Sequence, residues 1–128
     1  MAEATKILLV DDDEFLLDMY STKFKEEGFD VDIASSGEEA LTKLRKSSYP
    51  IVLLDIVMPG LDGFEVLSRV KKENLAGNAV IIVLSNLGQK EDIERGLELG
   101  AKDYVVKAHF TPREVVEKIK HHLQKTKS

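Results

Sequence analysis

The 128-residue sequence predicts an α/β fold: a single doubly wound parallel sheet of five strands with helices on both faces. Short aliphatic runs rich in β-branched residues recur along the chain, mostly without strict alternation, as strands covered on both faces require. Between them lie stretches with helical spacing, several opened by a capping residue and some closed by glycine. Strands and helices alternating in this way imply βαβ units, whose right-handed crossovers place helices on both sides of the sheet.

The first strand is KILLV, residues 6–10. Asp13 then caps a helix that carries Leu16, Met19, Tyr20 and Phe24 on one face and stops near Gly28. DVDIA, residues 30–34, alternates, with Val31 and Ile33 against Asp30 and Asp32, which marks an edge strand. The second helix opens at SGEE, where Ser36 caps and Glu39 reaches back in a capping box. IVLLD, residues 51–55, is the third strand, and the third helix opens at DGFE with Asp62 as cap and Glu65 three residues on. VIIVLS, residues 80–85, is the fourth strand; the helix after it runs through EDIERGLELG to a left-handed stop at Gly100. DYVVK, residues 103–107, is the fifth strand. The last helix opens at TPRE, with Thr111 as cap, Pro112 in the first helical position and Glu114 closing the box.

Size and composition narrow the function. Residues 1–128 make one domain, and 43% hydrophobic content is enough for a core without staples. With no cysteine, disulfides and thiolate metal sites are excluded, which fits the reducing cytoplasm. No apolar stretch approaches the roughly 20 residues that span a bilayer, and MAEATKILLV lacks the order of a signal peptide, so no membrane insertion is expected. A net charge of -5 argues against direct nucleic-acid binding. The basic tail KIKHHLQKTKS reads as a solvated helix end.

Chemistry is expected where a doubly wound sheet places it, beyond the carboxyl ends of the strands. The first strand runs into Asp11, Asp12, Asp13 and Glu14; the third ends at Asp55, the fourth at Ser85 and the fifth at Lys107. A lone Asp55 closing an aliphatic run costs several kcal/mol to bury unless something pairs with it. Carboxylates crowded at one rim raise one another's pKa, and Mg²⁺ relieves this while leaving coordination positions for a phosphate. Acids, the Ser85 hydroxyl and the Lys107 ammonium around Asp55 make a phosphoryl-transfer site, with Asp55 as the nucleophile that becomes an acyl phosphate. Asp13 and Asp62 are assigned to helix capping. His109, His121 and His122 lack the acidic or cysteine partners of a metal site and are read as structural or solvent-facing.

LLVDDDE, LLDIVMPGLDG, VIIVLS and GAKDYVVK, in this order and at these separations, resemble the receiver domain of bacterial two-component response regulators over essentially the whole chain. The resemblance is to the single-domain, chemotaxis-regulator-like kind. It implies strand order 2-1-3-4-5 and, position by position, the site roles. Asp55 matches the phosphorylated aspartate, Asp12 the direct Mg²⁺ ligand, and Asp11 the acid acting through water. Val57 would offer its backbone carbonyl to the metal. Ser85 and Lys107 match the groups that hold the phosphoryl oxygens, and Tyr104 the aromatic that turns inward when the hydroxyl residue moves. It further implies a sensor histidine kinase or histidine phosphotransfer protein as phosphodonor. Output would pass by protein contact through the surface of the fourth helix, fifth strand and fifth helix, with no output domain in this chain. Such a domain is not a conventional enzyme, although it assists its own phosphorylation and dephosphorylation.

Some positions depart from the family pattern. Ala108 follows Lys107 where the family usually has proline, often after a cis bond; a cis bond before alanine costs about 3–4 kcal/mol. Either that strain is retained, or the loop runs trans and Lys107 approaches differently. Asn86 replaces a smaller residue, and Ser85 stands for the commoner threonine. Apolar Val57 and Leu87 suggest weakly assisted hydrolysis of the acyl phosphate. Two rival functions share parts of this pattern. A degenerate receiver would bind partners without phosphorylation, a reading that Ala108 leaves open. An Asp-nucleophile phosphohydrolase would need a second acid near Asp55 and a cap; IVMPG supplies neither.

Overall fold

A computed structural model describes residues 4–127 of the chain. The elements alternate throughout: β1 (Lys6–Val10), α1 (Glu14–Glu26), β2 (Asp30–Ala34), α2 (Gly37–Lys46), β3 (Ile51–Leu54), α3 (Gly63–Lys72), β4 (Val80–Ser85), α4 (Lys90–Glu98), β5 (Asp103–Val106) and α5 (Pro112–Lys127). The five strands form one parallel sheet in the order β2-β1-β3-β4-β5. The chain therefore reverses direction across the sheet between β1 and β3, which opens a crevice at their carboxyl ends.

The two-residue period of the strands divides the core. Ile7 and Leu9 of β1, with Ile51 and Leu53 of β3, pack against α1 and α5 through Leu17, Tyr20, Phe24, Val115, Val116 and Ile119. Leu8, Val10, Val52 and Leu54 face the other way, onto Leu41 and Leu44 of α2 and Phe64 and Leu67 of α3. Burial on both sides explains why these strands read as unbroken aliphatic runs. Helix α4 is anchored more thinly, with Gly96 its one buried residue among those described. Arg95 lies over the Phe64 ring, 4.3 Å from its centroid, and ties α4 to α3.

Most capping expectations hold. Asp13 Oδ1 accepts from the Phe15 and Leu16 amides, Ser36 Oγ from the Glu39 amide, and Asp62 Oδ1 from the Glu65 amide. Thr111 and Glu114 close a full box, each backbone N–H donating to the other's side chain. Glu39 instead reaches one residue further back, to the Ser35 amide. Gly100 has φ +115° and ends α4 as a left-handed stop.

Further details differ from the sequence reading, and β3 ends at Leu54, one residue before Asp55. The buried stripe of α1 centres on Leu17, Tyr20 and Phe24, and Leu16 and Met19 only flank it. On β2, Ile33 is 44% exposed, because it faces the α1 side at the sheet's edge, where α1 does not cover it. Asp32 points to the opposite face and accepts the Tyr49 hydroxyl at 2.6 Å. Strand β5 ends at Val106, and Lys107–His109 form a 3₁₀ turn. His122 does have an acidic partner, its Nε2 lying 3.0 Å from Asp103 Oδ2, so it ties α5 to β5. Among the described residues no helix is long and apolar enough to cross a membrane.

Candidate functional site

Asp55 follows β3, and its amide donates to the Val10 carbonyl at 3.0 Å, which fixes it beside the end of β1. The Asp11 amide is tied in turn to the Ala34 carbonyl at 3.1 Å, so the two acids meet where β1 and β3 end. Asp55 is 6% exposed and Asp11 3%. Asp55 Oδ1 accepts from the amides of Ile56 (2.7 Å) and Val57 (3.4 Å), and Asp11 Oδ1 accepts from the Asp13 amide (3.0 Å). The second oxygen of each acid goes to one lysine: Lys107 Nζ stands 2.6 Å from Asp11 Oδ2 and 3.2 Å from Asp55 Oδ2. Asp12 is exposed on the rim, and oxygens of Asp11, Asp12 and Asp55 lie within 4.8 Å of one another.

Electrostatics follow from that crowding. Burial raises the Asp11 carboxyl above the ordinary carboxylate range; the hydrogen bonds from Lys107 and the Asp13 amide oppose the rise, and the Asp55 charge adds to it. At Lys107 burial opposes the charge, but the Asp11 hydrogen bond and the charges of both acids outweigh it, holding the ammonium above its ordinary value. Three carboxylates against one ammonium leave two negative charges unbalanced. A hard divalent cation matches that charge and the all-oxygen donor set, and exposed Asp12 leaves a side open for water and phosphate.

The site opens into a cleft of about 410 Å³ lined by Asp11, Asp12, Asp13, Leu16, Asp55, Val57, Ser85, Asn86, Leu87 and Lys107. Every predicted acid, the hydroxyl and the lysine thus reach one crevice, and Val57, 61% exposed, stands at its mouth. Ser85 is fully buried, its Oγ accepting from the Leu87 amide at 3.3 Å. Tyr104 does not line the cleft; its hydroxyl donates to the Leu87 carbonyl and its ring lies on Gly96. The Lys107–Ala108 peptide is trans, as are all peptides among the described residues, and Lys107 still reaches both acids.

Gly63 escaped the sequence reading, and so did the backbone link that Leu87 makes. A Cβ on Gly63 would stand 2.4 Å from the Asp55 carbonyl oxygen and 2.6 Å from Ile56 Cα, so only glycine lets α3 begin this close to the nucleophile's peptide. The glycine lies inside the quoted LLDIVMPGLDG, but the sequence gives no sign that its Cβ position meets backbone. Leu87 joins Ser85 to Tyr104 through its N–H and C=O, and backbone groups leave no side-chain signal.

The chain matches the family model described as response regulator receiver domain over residues 7–120. It is 44% identical over 124 residues to a transcriptional regulatory protein CpxR homolog of Haemophilus influenzae, a match covering 97% of this chain and 52% of the relative. Identity to the transcriptional regulatory protein ResD of Bacillus subtilis is 37%, covering 91% of this chain and 47% of that one. The chain therefore spans about half the length of the curated relatives it matches. Among solved structures, a CheY-like response regulator receiver domain protein from Methanospirillum hungatei superimposes with a TM-score of 0.90 at 31% identity, covering 97% of each chain. The CheX–CheY–BeF3–Mg complex from Borrelia burgdorferi gives a TM-score of 0.85 at 33% identity over 93% of this chain and 89% of the other.

Proposed function

The chain belongs to the response regulator receiver-domain family, and from that premise we propose that it is the phospho-acceptor switch of a two-component or phosphorelay system, with residues 1–128 as its receiver domain. The observation that carries this reading is Lys107 Nζ in contact with the carboxylates of both Asp11 and Asp55, on the rim that also holds Asp12.

An Asp55 carboxylate oxygen attacks the phosphorus of a phosphohistidine on a sensor histidine kinase or histidine phosphotransfer protein. The P–N bond breaks, its electron pair stays on the imidazole, and a P–O bond closes the acyl phosphate. Asp11, Asp12, Asp55 and the Val57 carbonyl would hold Mg²⁺, which when bound would supply positive charge beside the transferring oxygens. Lys107 moves its contact from the two carboxylates to a phosphoryl oxygen, and the Ser85 hydroxyl donates to another. Apolar Val57 and Leu87 at the cleft offer no help to an incoming water, which favours slow hydrolysis.

The added charge and acceptors draw Ser85 inward, and Leu87 follows because its amide is bonded to the Ser85 hydroxyl. Tyr104, bonded to the same residue, shifts with it and changes the surface of α4, β5 and α5 that a protein partner reads. We place the protein in the cytoplasm, acting by protein contact and without direct nucleic-acid binding by this chain. A phosphorylation-independent binding module is the weaker reading, since the cleft gathers the full set of acids, hydroxyl and lysine despite Ala108.

Intact mass after incubation with acetyl phosphate, with and without Mg²⁺, tests the proposal. One phosphoryl is expected, Mg²⁺-dependent and absent from Asp55→Asn. A folded protein that gains no mass under any condition sinks it.

A further inference from the structure

Gly96 stands inside α4, where glycine is a poor helix former and where its backbone, unlike that of Gly100, is not left-handed. It is also the one buried residue described in that helix. What glycine supplies here is therefore space, not conformation. A Cβ on Gly96 would lie 2.9 Å from Tyr104 Cδ2 and 3.1 Å from Tyr104 Cε2, but 3.7 Å from Val83 Cγ2. Val83 and Tyr104 are paired partners of β4 and β5, so α4 crosses the sheet with bare backbone over that pair. Toward Val83 an added methyl would make an ordinary contact; toward the ring it would overlap.

The same phenol donates its O–H to the Leu87 carbonyl, and the Leu87 amide donates to Ser85 Oγ. The ring is thus held between an acceptor tied to the site and a helix that admits it only because position 96 has no side chain. We propose that Gly96 is a positioning residue for Tyr104: the space it leaves seats the ring in the arrangement whose hydroxyl reaches the Leu87 carbonyl. The inference rests on the phospho-acceptor reading and deepens it, because Tyr104 follows Leu87 only while that seat is open. A methyl at position 96 penalises the seated ring and leaves a swung-out ring untouched, so the balance shifts toward the latter. Linkage carries the effect back to the site: what disfavours the seated ring weakens the binding of a phosphoryl mimic that favours it.

The test is ¹⁹F NMR of protein carrying 3-fluorotyrosine; the chain has three tyrosines, and Tyr104→Phe assigns the resonance. The difference in the Tyr104 shift between H₂O and D₂O reports how far the ring meets solvent. Gly96→Ala is expected to raise that difference about twofold or more, and an unchanged value overturns the proposal. Thermal melts separate the seat from the helix. Alanine suits a helix interior better than glycine, so Gly96→Ala should raise Tm more in a Tyr104→Ala background than beside the native ring, where overlap offsets the gain. Equal changes in the two backgrounds overturn the proposal. Beryllofluoride is then titrated in the presence of Mg²⁺ while the Ser85 and Lys107 amides are followed. Gly96→Ala should reach the same end shifts at a several-fold higher beryllofluoride concentration. If those amides ignore the probe in the wild type, the phospho-acceptor reading fails and the proposal falls with it. A responding wild type beside an unmoved Gly96→Ala midpoint overturns the proposal alone.

Discussion

Lys107 Nζ stands 2.6 Å from Asp11 Oδ2, and both side chains are more than nine-tenths buried. The ammonium is thus the internal counter-ion of an acid that burial disfavours in its charged form. Removing one partner of such a pair costs more than the pair contributes, because a charge is left without compensation.

Lys107→Met is accordingly expected to destabilise the metal-free protein by about 3–5 kcal/mol. Mg²⁺ should restore part of that loss, since an ion bound only by the folded chain adds about 2.7 kcal/mol at a hundredfold excess over its Kd. Urea unfolding with and without Mg²⁺ measures both. An equal loss in the two conditions would show that lysine and metal do not share the same acids.

Neighbouring aspartates in the DDDE run should separate cleanly. Asp13→Ala removes a helix cap, so a loss of about 1 kcal/mol is expected, with the Mg²⁺-induced rise in Tm unchanged. Asp12→Asn touches no cap and removes an exposed acid of the cluster, so that rise should shrink while metal-free stability stays within about 0.5 kcal/mol. Thermal melts across an Mg²⁺ titration distinguish the two, and a reversed pattern would refute the assignment.

Acid should act on Asp103. Burial opposes its charge, but the His122 and Tyr104 amide hydrogen bonds and the Lys118 charge outweigh it, holding the carboxyl below its ordinary 3.8. The unfolded chain then binds the proton more readily than the folded one. The stability Asp103 adds is full above the ordinary value and fades as pH falls through the lowered folded value. Melting curves from neutral pH downward should show Asp103→Asn below the wild type, the two converging in acid. A constant gap at every pH would assign the effect to packing instead.

Much of this was legible in the sequence because a parallel sheet converts order into position. Once the five runs read as strands, Asp11, Asp12, Asp55, Ser85 and Lys107 had to meet at one rim, and they line one cleft. What stayed hidden depends on contacts between distant segments. Asp103 and His122 are 19 residues apart, and only the packing of α5 on β5 brings them together. Ile33 alternates correctly yet stays exposed, because alternation tells which face a residue takes and not whether a helix covers it. The nearness of Gly63 to the Asp55 peptide is likewise a property of three dimensions.

The thin anchoring of α4 bears on the order in which the molecule comes apart. Opening free energy is lowest where few apolar groups must be exposed, and α4 gives up a single buried residue against three in α1 and five in α3. Its amides should therefore exchange with solvent through a local excursion that leaves the sheet intact, well below the cost of global unfolding. The face proposed for signalling then includes a helix held by fewer buried residues than α1 or α3. A stabilising substitution placed in α4 would spread its benefit to no other element, and its first effect would be to stiffen that face.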